Sequence, residues 1–240
     1  MRGLALLLLL APLAAWPQST TRELVGQLGS RQALLILHTS RAADGGWQLA
    51  GEYLLLPILQ RRFLEGESSP EIGVTTLREG TTPILFGHAP TGELRGTWRA
   101  GIFKGTRYAP GGQERERFEF TEEFPSLERY SANIRCEASN ARYGSILNLA
   151  VESGKLRTIE WRSHVAPSGH VCNLTSAQQE AMKGGLRFSS GACSVTLREI
   201  GDYVRVSAES CTEQCGSQAY LEPLLVDRRG NCRLMSGETR

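Results

Sequence analysis

In the first half of the chain, apolar and polar residues alternate in short stretches that are separated by glycine-rich turns. The clearest example is residues 47–53, where Trp47, Leu49 and Tyr53 alternate with polar or small residues after a Gly45-Gly46 turn. A period of two over such a stretch predicts a half-buried β-strand, and Gly-Gly predicts a turn. Strands are also predicted at residues 33–37, which form a short apolar run, and at residues 73–77, 83–86 and 115–120.

An internal repeat is the strongest pattern in this half. The segment GELRGTWR at 92–99 is followed, nine residues on, by GIFKGTRY at 101–108. This offset corresponds to one strand and one turn, which is typical of all-β folds. We therefore expect about seven or eight antiparallel strands curled over one core, as a meander or a barrel-like sheet. Aromatic residues at the strand period, such as Tyr53 and Trp98, are expected to pack in that core.

The second half also predicts strands, at residues 143–151 and 156–161, and one well-defined hairpin. The hairpin turn is Gly201-Asp202, a dipeptide of the type that connects two alternating strands through a two-residue loop. This register places Leu197 opposite Val206 and Val195 opposite Ala208, all on one face. A short helix is predicted earlier in this half, capped by Thr175 or Ser176, continuing through Met182 and ending at Gly184-Gly185.

All cysteines lie in the second half, and their number is even. An even set of six cysteines is typical of the disulfide frameworks of exported proteins, and it allows 15 possible pairings. Zinc is the alternative, because Cys211 and Cys215 are four residues apart and His170 is close to Cys172. The cysteines are Cys136, Cys172, Cys193, Cys211, Cys215 and Cys232.

The hairpin register favours one particular disulfide. It places Cys193 opposite Ser210, so Cys211 lies just past the end of the partner strand, within reach of a disulfide if the chain bends there. Cys211–Cys215 is the main competitor. By elimination and sequence proximity, the remaining pairs are expected to be Cys136–Cys172 and Cys215–Cys232.

The uneven distribution of cysteines divides the chain into two predicted domains. Residues 20–122 form a cysteine-free β-meander domain, and residues 134–236 form a cysteine-rich β domain. Residues 123–133, which include Pro125 and several charges, are predicted to be a linker with about one helical turn. The predicted fold class is therefore all-β, with two small antiparallel domains, the second held together by disulfides.

The N-terminus predicts export. Arg2 precedes an apolar run at residues 4–10 that continues to Ala15, the expected cleavage point of a signal peptide at residues 1–15. The alternative is a membrane anchor, but the run is shorter than the roughly 18–20 residues that span a bilayer. No later segment is apolar enough to span, so the mature protein is predicted to be periplasmic or secreted. The net charge of +2 does not favour nucleic-acid binding.

Four short motifs in the first half resemble a family of exported bacterial domains of uncharacterised function. They are VGQLG at residues 25–29, Gly51-Glu-Tyr53, Leu77-Arg-Glu79, and the segment from Gly92 to Gly96-Thr-Trp98. In that family, strands of the types G-x-Y, L-x-E and G-x-W form a small β-meander. The resemblance covers most of residues 22–120, and it implies an exported β-domain without an established activity. Residues 54–59 depart from the family, because they are longer and more apolar.

The second half is similar to cysteine-rich domains of other exported bacterial proteins. The likeness rests on the Cys193-Ser-Val-Thr-Leu197 strand, its hairpin, and Cys211-Thr-Glu-Gln-Cys215. Some small exported β-proteins of this kind inhibit host lysozymes, so an inhibitor-like role is available by analogy.

Catalytic motifs are missing from the sequence. There is no G-x-S-x-G elbow, H-E-x-x-H helix, phosphate-binding loop or dinucleotide fingerprint. We therefore expect a non-catalytic exported binding protein for an unknown protein or envelope ligand, with inhibition as one form of this role, and with no cofactor and no metal. The alternatives are a secreted hydrolase that uses His164 or His170, and an envelope structural protein.

Overall fold

The computed structural model describes residues 20–41, 46–68, 73–83, 88–166, 168–175, 178–180, 182–216 and 221–235. The predicted signal peptide at 1–15 and residues 84–86 of a predicted strand lie outside this part. The described chain consists of antiparallel β-sheets, which confirms the all-β prediction.

The first eight strands are β1 (Thr20–Leu28), β2 (Arg31–Arg41), β3 (Trp47–Leu55), β4 (Gln60–Ser68), β5 (Val74–Gly80), β6 (Gly92–Arg99), β7 (Ile102–Tyr108) and β8 (Glu114–Thr121). The later elements are β9 (Ala132–Ser139), β10 (Tyr143–Glu152), β11 (Lys155–Val165), β12 (His170–Leu174), β13 (Gln178–Glu180), β14 (Leu186–Ser190), β15 (Cys193–Ile200), β16 (Tyr203–Glu209), α1 (Thr212–Cys215), β17 (Leu224–Asp227) and β18 (Cys232–Leu234).

Strands β1 to β8 form a closed barrel, in which each strand is antiparallel to the next. The barrel closes where β8 pairs with β1, with Leu28 opposite Phe118. Leucine and aromatic side chains fill the interior, as is usual for barrels of about eight strands. The buried inward-facing residues include Leu24, Leu35, Tyr53, Leu77, Phe103 and Phe120.

The internal repeat pairs with itself, because its two copies are β6 and β7 and form one hairpin. Gly96 in the first copy lies opposite Gly105 in the second. A Cβ at Gly105 would lie 1.9 Å from the backbone oxygen of Arg95, and one at Gly96 would lie 2.8 Å from ring carbons of Phe103 and Phe118. The repeated glycine therefore allows two strands and two aromatic rings to approach more closely than any side chain permits.

The second half forms two facing sheets that enclose one core. The strand order is β12-β11-β10-β9 in one sheet and β13-β14-β15-β16-β17-β18 in the other. The core between them contains Trp161 and Phe188, and the Trp161 Nε1–H donates to the buried Ser145 Oγ at 2.7 Å. The predicted hairpin is confirmed, with Leu197 opposite Val206 as expected. We call this half the two-sheet unit.

The predicted helix after Thr175 is wrong, because residues 178–180 form the short strand β13. Gln179 lies opposite Phe188 of β14, so the backbone gains its partners from a neighbouring strand. The Gln179 side chain also accepts from the Leu156 N–H at 3.0 Å and donates to the Gly154 oxygen at 2.7 Å. These tertiary bonds override a helical pattern of only a few residues. The helical turn expected within residues 123–133 is also wrong, because residues 127–130 form a turn and no helix, closed by the Tyr130 N–H on the Leu127 oxygen.

Three disulfides are present, and only one of them is an expected pair. Cys193–Cys211 is confirmed at the open end of the hairpin. The expected Cys136–Cys172 and Cys215–Cys232 are wrong. The actual pairs are Cys136–Cys232, from β9 to β18, and Cys172–Cys215, from β12 to α1.

The strand order explains this error. Cys136 and Cys172 lie on opposite edges of a four-stranded sheet, in β9 and β12. Three inter-strand spacings separate these edges by about 14 Å, whereas a disulfide spans Cα atoms roughly 4.4–6.8 Å apart. Cys136 instead joins the two sheets at the β9–β18 margin, and Cys172 joins β12 to α1, which lies against β15.

The barrel and the two-sheet unit pack against each other through a small apolar cluster. Leu34, Leu54 and Leu56 of the barrel are buried against Ile200 and Leu225. Beside this cluster, Glu23 of β1 accepts from Arg205 and, at 2.8 Å, from Arg198 of the facing sheet. The apolar segment 54–59 therefore supplies part of this interface.

Candidate ligand-binding cleft

A cleft of about 820 Å³ lies between the barrel and the two-sheet unit. The barrel contributes the turn between β3 and β4 and the start of β4, whereas the two-sheet unit contributes β9, β18 and the residues that follow each of them. A concave site between two packed units is a common position for ligand binding. The lining residues are Ile58, Leu59, Arg61, Phe63, Thr81, Glu137, Ala138, Ser139, Asn140, Cys232, Arg233, Leu234 and Met235.

The barrel side of the cleft is mainly apolar. Ile58 is 65% exposed, which is unusual for an isoleucine beside a buried cluster, and Leu59 and Phe63 continue the same wall. Leu54 and Leu56 from the same segment are buried in the interface. The segment 54–59 therefore fills the interface with its first residues and presents its last residues to the cleft.

Two arginines connect the walls of the cleft. Arg61 donates to the Met235 backbone oxygen at 2.9 Å and forms an ion pair with Glu52 at 3.3 Å. Arg233 donates to the Pro57 oxygen at 3.1 Å, and within the described residues it has no carboxylate within 4.0 Å. Among the described residues, Arg233 is thus an exposed cation of the cleft without a carboxylate at ion-pair distance.

One edge of the cleft is formed by two strands that, within the described residues, are each hydrogen-bonded to another strand on one side only. β9 is the last strand of the four-stranded sheet and β18 the last of the six-stranded sheet. The Cys136–Cys232 bond joins them where their Cα atoms are 5.8 Å apart. In the described part of the chain, no ladder connects the two strands, although they lie side by side. We call this opening the β9–β18 seam.

A second polar cluster lies inside the barrel, at one of its ends. The Glu79 carboxylate is completely buried and accepts from Arg107 Nε at 2.7 Å and Nη2 at 2.9 Å, and from the Tyr53 hydroxyl at 2.7 Å. Arg107 also donates to Glu116 at 3.3 Å, and Arg31 donates to the same Glu116 oxygen at 2.9 Å. This Glu79 network links strands from around the barrel.

The electrostatics of the network favour a structural role. Burial alone would raise the pKa of Glu79, but the hydrogen bonds from Arg107 and Tyr53 outweigh it and hold this pKa below its ordinary value of 4.5. Burial and the adjacent carboxylate also raise the pKa of the Tyr53 hydroxyl. Glu79 is therefore ionised and Tyr53 neutral at physiological pH. A carboxylate with a lowered pKa and fully occupied oxygens is poorly suited to act as a general base.

The histidines that could serve a hydrolase do not form such a site with their described neighbours. His164 lies on the exposed face of β11, and its ring covers Gly144, where an added Cβ would lie 1.9 Å from it. His170 begins β12, and its backbone N–H donates to Ser168 Oγ at 3.4 Å. In the described ranges, neither imidazole is hydrogen-bonded to a serine, cysteine or carboxylate side chain. These positions give the hydrolase hypothesis no support.

The cysteines offer no metal ligands, because all six are in disulfides. Among the residues that the structure describes, no group of three or more His, Cys, Asp or Glu side chains is arranged to hold a metal ion. Within the same residues, no helix is both long and apolar enough to cross a membrane. Three disulfides are typical of proteins in oxidising compartments.

In comparisons with known proteins, no family model, no curated protein and no solved structure matches this chain. The resemblance to exported bacterial domains therefore stays a prediction. The candidate site rests on the geometry of the chain itself.

Sequence reasoning missed both the cleft and the Glu79 network. For the cleft, the only signal was the apolar excess at residues 54–59. For the network, the signal was a charged residue at a strand position whose side chain points into the barrel. Glu79 lies two residues after the inward Leu77, and Arg107 lies four residues after the inward Phe103. A charged residue that shares the inward face of a strand with apolar residues is expected to be buried and paired with an opposite charge.

Proposed function

We propose that this protein is an exported, non-catalytic binding protein, periplasmic or secreted, that holds its ligand in the cleft between the barrel and the two-sheet unit. The observation that carries the proposal is the cleft itself, with Ile58 exposed beside a buried interface. Exposed apolar residues that line a concave surface are typical of binding sites. The disulfides support the oxidising compartment, and the apolar segment at the N-terminus supports export.

The geometry of the cleft favours binding over a purely structural role. Arg61 and Arg233 are both tied to backbone oxygens across the cleft, so its walls are held in position without a ligand. A preformed cleft loses little conformational entropy on binding. An inhibitor-like action remains one form of this function, in which the ligand is an enzyme.

Site-specific photocrosslinking tests the proposal in the producing cell. A photoreactive phenylalanine analogue is placed at Ile58, and as a matched control at Val171, which is 37% exposed on β12 and does not line the cleft. The partner identified from the Ile58 adduct is then purified and titrated against wild type, Ile58→Asp and Val171→Asp. We expect at least a tenfold loss of affinity for Ile58→Asp and no change for Val171→Asp.

Equal adducts at both positions, or none at either, would contradict binding in the cleft. N-terminal sequencing of the mature protein tests export separately, and the expected first residue follows Ala15 or lies within a few residues of it. An unprocessed N-terminus would contradict the exported location.

A further inference from the structure

We propose that the cleft takes an extended polypeptide segment of a partner protein, which adds as a strand to the free edge of β9 at the β9–β18 seam. This inference rests on the proposed function and specifies its ligand. Strand addition needs an edge with unpaired backbone groups, a neighbouring surface for alternate side chains, and room for a chain in extended form.

The register of β9 shows which of its backbone groups face the seam. The Asn140 N–H donates to the Tyr143 oxygen at 2.8 Å, so this is a hydrogen-bonded pair of the β9–β10 hairpin. Hydrogen-bonded pairs alternate with non-bonded pairs in an antiparallel ladder. The next bonded pair is therefore Ala138 with Ser145. It follows that the N–H and C=O of Glu137 and Ser139 point away from β10, towards the seam.

The register of β18 likewise shows which of its backbone groups face the seam. The Met235 N–H donates to the Pro223 oxygen, and the Asp227 N–H donates to the Asn231 oxygen, both at 2.9 Å. These bonds place Arg233 in a hydrogen-bonded pair with β17, so the backbone groups of Leu234 point away from it. In the part of the chain that the structure describes, the seam is therefore flanked by two edges whose outward backbone donors and acceptors have no backbone partner.

Beyond the disulfide, the seam borders the cleft. Both strands line the cleft only at the disulfide and beyond it, through residues 137–140 on one side and 232–235 on the other. Beyond Cys136–Cys232, no hydrogen bond between the two edges is present among the described residues. Such free edges are normally paired or protected, because they are templates for another strand. Here the disulfide fixes the two edges at one point, and the residues beyond it line the cleft, where Glu137 and Ser139 of β9 are exposed.

The chemistry of the walls indicates what the added segment should carry. Side chains of an added strand alternate between two faces. On one side they would meet the apolar wall formed by Ile58, Leu59 and Phe63. Arg233 is exposed and has no carboxylate partner in the described part of the chain, so an acidic residue in the segment would complement it. The expected ligand therefore alternates β-branched or other apolar residues with polar residues, at least one of them acidic.

The test uses the full mature protein and a defined set of probes. These are capped, fluorescently labelled octapeptides in which valine or isoleucine alternates with Asp, Ser or Thr, and fluorescence anisotropy reports their binding. For the tightest peptide, two N-methylated versions are made, each methylated at alternate residues along one edge only. Strand addition predicts that one version loses about tenfold in affinity for each blocked amide, whereas the other binds nearly as well as the parent.

Variants of the protein provide the matched comparison. Ser139→Pro removes an N–H that faces the seam and leaves the β9–β10 bonds of Ala138 and Asn140 in place, whereas Ser139→Ala keeps the N–H. We expect at least a tenfold weaker peptide affinity for Ser139→Pro and unchanged affinity for Ser139→Ala. Hydrogen exchange should also slow at the Glu137 and Ser139 amides when peptide is bound, a readout that does not depend on either variant.

The outcomes separate this inference from the proposed function. If no octapeptide binds, or if both N-methylated versions bind equally and the two amides gain no protection, strand addition is wrong. If in that case Ile58→Asp still abolishes binding of the crosslinked partner, the cleft binds its ligand by another mode and the proposed function stands. If Ile58→Asp has no effect on that partner, the proposed function fails as well.

Discussion

Replacing Glu79 with glutamine should destabilise the barrel strongly, because the substitution removes a buried charge from a network that depends on it. The carboxylate accepts two bonds from Arg107 and one from Tyr53, and its side chain has no exposure. In Glu79→Gln an amide NH₂ replaces one accepting oxygen, so at least one donor is left without a partner and Arg107 loses its main counter-charge. Breaking a buried ion pair in this way costs about 3–5 kcal/mol.

This loss is a large part of the roughly 5–15 kcal/mol that stabilises a protein of this kind. For a chain of this size, about 2–4 °C of melting temperature corresponds to each kcal/mol, so we expect a decrease of roughly 10 °C. Guanidinium unfolding, followed by tryptophan fluorescence, should show a lower midpoint with an unchanged slope, because the substitution changes stability and not the surface exposed on unfolding.

The matched control is Glu65→Gln, on the neighbouring strand β4. Glu65 pairs with Arg78 at 3.7 Å at the barrel surface, where the Arg78 side chain is 55% exposed. Exposed ion pairs contribute about 0–1 kcal/mol to the free energy of unfolding. If Glu79→Gln costs no more than Glu65→Gln, the network does not stabilise the barrel as we argue.

The contribution of Glu79 should also depend on pH in a defined direction. Its pKa is lower in the folded protein than its ordinary value of 4.5. The stability from this group is therefore fully present above about pH 5, and it is lost as the pH falls through the lower, folded pKa. The difference in stability between wild type and Glu79→Gln should be constant near neutral pH and should narrow below about pH 4. A difference that widens on acidification would contradict this assignment.

Three further predictions concern packing, the contact between the two units, and the disulfides. Trp98 is only half-buried but stacks on Phe103, with ring centroids 4.8 Å apart, so Trp98→Ala should lower the free energy of unfolding by about 2 kcal/mol, less than the roughly 3–5 kcal/mol expected for a fully buried tryptophan. Thermal melting compares this variant with Trp47→Ala, at an exposed tryptophan. An equal decrease in melting temperature for the two variants would place Trp98 outside the core. Glu23→Gln should lower the free energy of unfolding by about 2 kcal/mol, because it leaves Arg198 and the 9% exposed Arg205 side by side without their carboxylate. The control is Glu122→Gln, which removes a pair with the exposed Arg22 and should change the melting temperature little. Mass spectrometry of a non-reduced digest should find the pairs 136–232, 172–215 and 193–211; any other pairing, or a free thiol, would contradict the strand order.

The features that the sequence predicted correctly are those set by short-range pattern. The Gly201-Asp202 hairpin follows from alternation on both sides of a turn dipeptide, and the same register predicted Cys193–Cys211, because both cysteines lie at the end of one hairpin. The nine-residue repeat likewise predicted β6 and β7, since one strand and one turn account for its length. In each case the partners are close in sequence, so their spatial relation depends on few torsions.

Tertiary structure decided the features whose partners are distant in sequence. Cys136 and Cys232 meet because the four-stranded and six-stranded sheets face each other, and no local pattern specifies that arrangement. The strand at Gln179 forms because β14 and the Gly154 turn supply its hydrogen bonds, although its own sequence favours a helix. The curl of the consecutive strands β5, β6 and β7 brings Arg107 to Glu79, and packing of the barrel on the two-sheet unit creates the cleft at Ile58. The sequence by itself therefore determined the strands, the turns and the disulfide-rich half. The cleft and the Glu79 network depend on contacts between strands that are distant in sequence, and the geometry of these contacts is set by the whole core.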